Sequence, residues 1–167
     1  MKHNVLFICT GNLCRSPIAE GILRQKLAER KINSVVSSSA GTFALIGRPA
    51  ADLAVKVAAE QGVDISGHRS RPITKKILEG ADIVLGMETD HIVEAGVVVK
   101  DGGGKYRLLS EYGPKRIRGR DIEDPYGSPY EYFLHTYEII EKCVEALVDD
   151  LQDKWGLMRQ DCQRKRQ

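Results

Sequence analysis

Cys9 and Arg15 stand at the two ends of one short segment, Cys9-Thr10-Gly11-Asn12-Leu13-Cys14-Arg15-Ser16, with five residues between them. A loop of that length can fold back so that its backbone N–H groups point inward. Such a cradle binds a tetrahedral oxyanion, above all where a helix N-terminus closes it. The same field favours the thiolate of Cys9 and makes it a nucleophile near neutral pH. An activated thiolate facing a bound phosphate is the chemistry of a cysteine-dependent phosphatase. A buried structural thiol is the bland alternative; the arginine and the Gly-Asn pair in the same loop weigh against it.

Each neighbour has a role in that chemistry. Arg15 offers a planar fork for two phosphate oxygens and for the charge that develops in the transition state. Gly11 and Asn12 suit left-handed backbone conformations that turn amides inward. Ser16 can donate its hydroxyl to the Cys9 sulfur, cap the following helix, or do both. The reaction also needs an acid to protonate the leaving oxygen. Asp124 lies in a long loop over residues 111–128, directly before Pro125, which biases it toward an extended conformation. Asp121 and Glu123 are rivals on the same loop, and spacing leaves the choice open.

The elements that must position these residues read as strands alternating with helices. Residues 5–9 form a short continuous apolar run, hence a buried strand. A helix follows, with Ser16 at its cap and Pro17 as its first residue. Further strands are expected at 34–39, 81–87 and 105–109, the last at an edge because Lys105 and Arg107 alternate with Tyr106 and Leu108. Helices are expected at 49–61, 72–79 and 88–95. The longest is expected at 129–153, with Tyr130, Phe133, Tyr137, Ile140, Val144, Leu147 and Leu151 on one face. This alternation predicts an α/β fold with a parallel sheet covered on both faces. Ligands in such folds sit beyond the carboxyl ends of the strands, where the Cys9–Ser16 loop emerges.

Composition narrows the class. The chain has 167 residues, 42% hydrophobic and 29% charged, as expected for one globular domain. A formal net charge of +2 gives no argument for nucleic acid or membrane binding. The apolar run after Met1-Lys2-His3-Asn4 is too short for a secretory signal, and no stretch suits a membrane helix. Four cysteines make no disulfide framework in a chain this long, so a reducing cytoplasm is the expected setting. No His/Cys set completes a zinc site. Cys143 is expected in the core, and Cys162 as an exposed thiol in a basic tail over residues 156–167.

The motif Cys-Thr-Gly-Asn-Leu-Cys-Arg-Ser-Pro after a hydrophobic strand, with Asp124-Pro125-Tyr126 far downstream, resembles the low-molecular-weight protein tyrosine phosphatase family. Ser38-Ser39-Ala40-Gly41-Thr42, His68-Arg69-Ser70-Arg71 and the long last helix support the resemblance, which extends over residues 3–152 and assigns 1–155 to one phosphatase domain. It implies a three-layer doubly wound fold with a four-stranded parallel sheet, and a two-step reaction without metal or organic cofactor. Cys9 would take the phosphoryl group, Arg15 would bind it, and Asp124 would act as acid and then as base. Thr10, Gly11, Asn12, Leu13, Cys14 and Ser16 would form the substrate-binding loop, with Leu13 and Tyr126 as apolar walls. The resemblance also implies a reversible disulfide between Cys14 and Cys9 under oxidation.

Phosphotyrosine-bearing protein is the expected substrate, and bacterial tyrosine kinases are the partners that the resemblance suggests. Family members that act on phosphoarginine carry threonine where this chain has Leu13, and leucine offers a guanidinium nothing polar. Arsenate reductases on the same scaffold need two further relay cysteines, which residues 80–95 lack. Gly127 stands where other members place a second tyrosine. Arg48 and His68 are possible neighbours of the loop, and the run Lys115, Arg116, Arg118 and Arg120 reads first as a solvated charged loop.

Overall fold

The computed structural model describes residues 1–101 and 103–157. Its central strand is β1, His3–Cys9. Side chains along β1 alternate between two apolar clusters, Val5 and Phe7 in one, Leu6 and Ile8 in the other. A strand buried on both faces needs no polar positions, which is why Val5-Leu6-Phe7-Ile8 has none. β1 lies between β2 (Val35–Gly41) and β3 (Ile83–Gly86), and β4 (Tyr106–Leu108) closes one edge. The strand order is β2-β1-β3-β4 with every pairing parallel.

Helices α1 (Arg15–Glu29), α2 (Asp52–Glu60) and α5 (Tyr130–Trp155) cover the Val5/Phe7 face. Helices α3 (Lys75–Glu79) and α4 (Thr89–Val98) cover the other through Leu78 and Ala95. The three-layer, doubly wound architecture is the expected one. Because β2 and β3 flank β1 on opposite sides, the sheet's switch point falls at the carboxyl end of β1.

Several boundaries differ from the sequence reading. α1 starts at Arg15 with Cys14 at its N-cap, so Ser16 is not the cap; its hydroxyl faces Cys9 and Asn12 instead. The helix expected from residue 49 starts only at Asp52, since the preceding segment ties into the loop through Ala51 N–H on the Leu13 carbonyl. The helix expected from residue 72 starts at Lys75. Residues 71–73 are held extended against Gly41, and the Thr74 hydroxyl then caps the Ile77 N–H. α4 runs on to Val98. Tyr130 is half-buried, not core: its hydroxyl donates to Glu60 and Lys56 lies over its ring. The rest of that helix stripe is buried, as is Cys143. Cys162 and the tail from residue 158 onward lie outside the described residues.

Candidate active site

Cys9 ends β1 and Arg15 begins α1, so the segment between them is a strand-to-helix loop at the switch point. Its turn rests on Asn12, which is fully buried with φ 56°. Every polar group of that side chain is satisfied. Its amide nitrogen donates to Ser16 Oγ at 2.8 Å and Ser39 Oγ at 3.0 Å, and its oxygen accepts from Arg71 N–H at 3.0 Å. The Asn12 carbonyl accepts from His68 Nε2 at 2.7 Å. A buried asparagine so held offsets the left-handed strain and fixes the loop. Gly11, expected to share that conformation, has no positive φ. The glycine that the loop requires is Gly41, at the end of β2: a Cβ there would lie 2.5 Å from Thr10 O and 3.0 Å from Asn12 N.

Ser16 Oγ lies 2.9 Å from Cys9 Sγ. It accepts from Asn12, whose amide nitrogen can only donate, so its own proton is free to point at the sulfur. The chain of bonds continues outward from Asn12 to Ser39 and from Ser39 to Glu20. His68, beside Glu20, is pushed below the usual imidazole range chiefly by burial.

Arg15 is 1% exposed, a buried charge that must be paired. One amino group donates to Glu88 and, at 2.6 Å, to the Ile122 carbonyl; the other lies 3.3 Å from Asp124 Oδ2. Among the described residues Nε has no acceptor, which leaves it available to an oxyanion in the cradle. Ile122 is brought there by its N–H on the Met87 carbonyl, just beyond β3. The three acidic candidates differ in their surroundings. Asp121 is occupied with the Thr89 N–H and hydroxyl at the start of α4. Asp121, Glu123 and Asp124 all line a neighbouring groove, and of the three Asp124 also lines the cleft that holds Cys9.

That cleft measures about 400 Å³. Cys9, Thr10, Gly11 and Cys14 lie among its lining, together with Leu13, Tyr126 and Arg48. Asn12 and Ser16 lie beneath the loop, both fully buried. Cys14 is 3% exposed, and burial, reinforced by Asp124 and Cys9, pushes its thiol far above the usual range. Gly127 adopts φ 79°, and Tyr132 lines the neighbouring groove.

The sequence reading missed several contributors. Phe43 and Leu45, 85% and 65% exposed, extend the apolar wall. Glu88 and His91 were read only as part of a helix, yet both touch the loop or its arginine. Glu88 follows β3 at the same carboxyl edge as Cys9, and that position is the signal that points to it.

Comparison with known proteins agrees with this geometry. The family model described as low molecular weight phosphotyrosine protein phosphatase matches residues 4–157. The chain is 34% identical over 140 residues to the low molecular weight protein-tyrosine-phosphatase Etp of Escherichia coli, covering 84% of this chain and 88% of that one. The crystal structure of a low molecular weight protein tyrosine phosphatase from T. tengcongensis superposes with TM-score 0.83 at 36% identity, covering 90% of this chain and 100% of the other. The YwlE arginine phosphatase from Geobacillus stearothermophilus superposes with TM-score 0.81 at 32% identity, covering 91% and 94%. By its fold, its loop and these matches, the chain belongs to the low-molecular-weight phosphotyrosine protein phosphatase family.

Proposed function

We propose that this protein hydrolyses phosphotyrosine in proteins, with Cys9 as nucleophile, Arg15 as phosphate clamp and Asp124 as general acid and base. The observation that carries the reading is the convergence of three groups on one cleft: the Cys9 sulfur backed by Ser16, the unpartnered Nε of Arg15, and Asp124 beside the same guanidinium.

In the first step the Cys9 thiolate attacks phosphorus. A sulfur–phosphorus bond forms, the bond to the tyrosyl oxygen breaks, and that oxygen takes the Asp124 proton. Arg15 and the loop N–H groups hold the equatorial oxygens as charge moves across them. In the second step the Asp124 carboxylate takes a proton from water, the water oxygen attacks phosphorus, and the thiolate leaves. The Ser16 hydroxyl stabilises that leaving sulfur.

The shared fold does not separate phosphotyrosine from phosphoarginine, since both kinds of relative superpose equally well. The walls favour the aromatic substrate. Leu13, Phe43, Leu45 and the Tyr126 ring give a phenyl ring apolar contact on several sides. Phosphate release from a phosphotyrosine peptide and a phosphoarginine peptide, side by side with Cys9→Ser as control, tests the reading. Preference for phosphotyrosine supports it; preference for phosphoarginine overturns the substrate assignment and keeps the chemistry. The physiological substrates we propose are phosphotyrosine proteins of the same cell, bacterial tyrosine kinases among them.

A further inference from the structure

We propose that His91 is a positioning residue that clamps the start of the phosphate loop to the backbone of Glu88, whose carboxylate holds Arg15, acting as a neutral imidazole with its proton on Nε2. The proposal rests on the phosphatase reading of the site and adds a residue to its machinery.

His91 is 2% exposed, a buried titratable ring that the reaction itself does not use. Its Nδ1 lies 3.0 Å from the backbone nitrogen of Glu88. A backbone N–H only donates, so Nδ1 must be unprotonated and the ring proton sits on Nε2. Nε2 lies 2.9 Å from Thr10 Oγ1, and therefore donates to it. Glu88 is the N-cap of α4 and His91 its third helical residue. From that position a side chain reaches back to the cap amide, so local helix geometry alone aims the ring. Its target, Thr10, is 81 residues away in sequence.

The ring thus spans two halves of the site. Thr10 directly follows Cys9 and opens the cradle; Glu88 holds the guanidinium that meets the phosphate from the other side. Asn12 is fixed from beneath by Ser39, Arg71 and His68, and the His91 bond on Thr10 supplies a matching tie at the other end of the loop.

A doubly protonated ring cannot accept from Glu88 N–H, so acid breaks the clamp at that end. The charged groups facing the ring are Arg15 at the head of α1, Glu88 and Glu94 around α4, and Asp121 from the loop after β4. Burial, then Arg15, push the ring below the usual imidazole range, against the three carboxylates. The clamp is present at neutral pH and is lost as pH falls below that range.

Four variants test it: His91→Ala, His91→Gln, Thr10→Val and Thr10→Ser. For each, kcat/KM on an aryl phosphate and the vanadate inhibition constant are measured from about pH 5 to about pH 8, with Tm alongside. His91→Ala and Thr10→Val should each cost about tenfold in kcat/KM and in vanadate affinity, the loss expected when one part-buried hydrogen bond at the site is orphaned. A fifth protein, the His91→Ala/Thr10→Val double variant, should cost no more than either single change. His91→Gln, which keeps a donor near Nε2 and does not titrate, should recover most of the His91→Ala loss and flatten the acid limb. Thr10→Ser should exceed Thr10→Val by the same factor. Folded His91→Ala and Thr10→Val proteins within about twofold of wild type, additive losses, or a His91→Gln acid limb identical to wild type would each overturn the clamp. If His91→Ala does not fold, the two Thr10 variants and the His91→Gln profile decide the matter. Wild-type protein that neither cleaves aryl phosphates nor binds vanadate would overturn the phosphatase reading itself, a different outcome from unaffected variants of an active enzyme.

Discussion

The Ser16 hydroxyl lies 2.9 Å from the Cys9 sulfur and accepts from Asn12, which leaves its proton free to point at the sulfur. That one relationship links the nucleophile to the buried turn of the loop. Ser16→Ala should therefore lower kcat by roughly tenfold to a hundredfold, the range of one lost charge-assisted bond. The loss should fall on breakdown of the phosphoenzyme, where sulfur is the leaving group. Stopped-flow kinetics with a nitrophenyl phosphate should show the initial burst preserved and the steady rate reduced. A burst reduced by the same factor would contradict this role.

Asn12 combines a left-handed backbone with four satisfied bonds, and two substitutions separate those contributions. Asn12→Gly keeps the conformation and loses the side-chain bonds; Asn12→Ala loses both. Each should destabilise the fold by about 1–3 kcal/mol through orphaned buried groups, Asn12→Ala the more. Equal Tm values for the two variants would mean that φ at this residue carries no cost.

Gly41 approaches the loop so closely that Gly41→Ala must displace Thr10 or Asn12 backbone, neither of which can rotate away. The expected result is a rise in the phosphate or vanadate inhibition constant of at least about tenfold, with a stability loss of about 1–3 kcal/mol. An unchanged inhibition constant would show that the loop can shift without harm.

His68 is held below the usual imidazole range, mainly by burial. In the unfolded chain it titrates near 6.5, above its folded value. As pH falls through 6.5 the unfolded state takes up the proton first, so stability is lost from there down to the folded value and then levels off. Tm measured against pH should fall more steeply for wild type than for His68→Gln as pH drops from 6.5 to the folded value. Parallel curves would rule the contribution out.

Burial holds the Cys14 thiol protonated at neutral pH. Iodoacetate near neutral pH should alkylate Cys9 and spare Cys14, phosphate should protect Cys9, and Cys9→Ser should still resist modification at Cys14. Peptide mapping of the labelled protein checks this. Label on Cys14 would contradict the burial argument.

How much was legible in sequence followed from how local each feature is. The Cys9–Ser16 loop was readable because nucleophile, clamp and turn lie within one loop, and strand and helix signals bracket it. The partners of Asn12 were not, because Ser39, His68 and Arg71 come from segments 27 to 59 residues away and meet only after β2 and its following loop pack. Ser16 was read half correctly: both of its roles were compatible with local sequence, and the buried Asn12 decided between them. Glu88 and His91 look like an ordinary helix start until β3 places them beside β1. That Asp121 is engaged at the α4 terminus was not legible in spacing, because Thr89 lies 32 residues away. Tyr130 fits the helix period and yet is only half-buried at the margin of the core, because periodicity does not say where a helix stripe reaches the edge.

Covalent capture tests the central claim most directly. The protein is mixed with an aryl phosphate, quenched within one turnover and digested for mass spectrometry. The account predicts a phosphoryl adduct on Cys9, lost in Cys9→Ser together with turnover. Turnover without any adduct on Cys9, or turnover retained by Cys9→Ser, would contradict it.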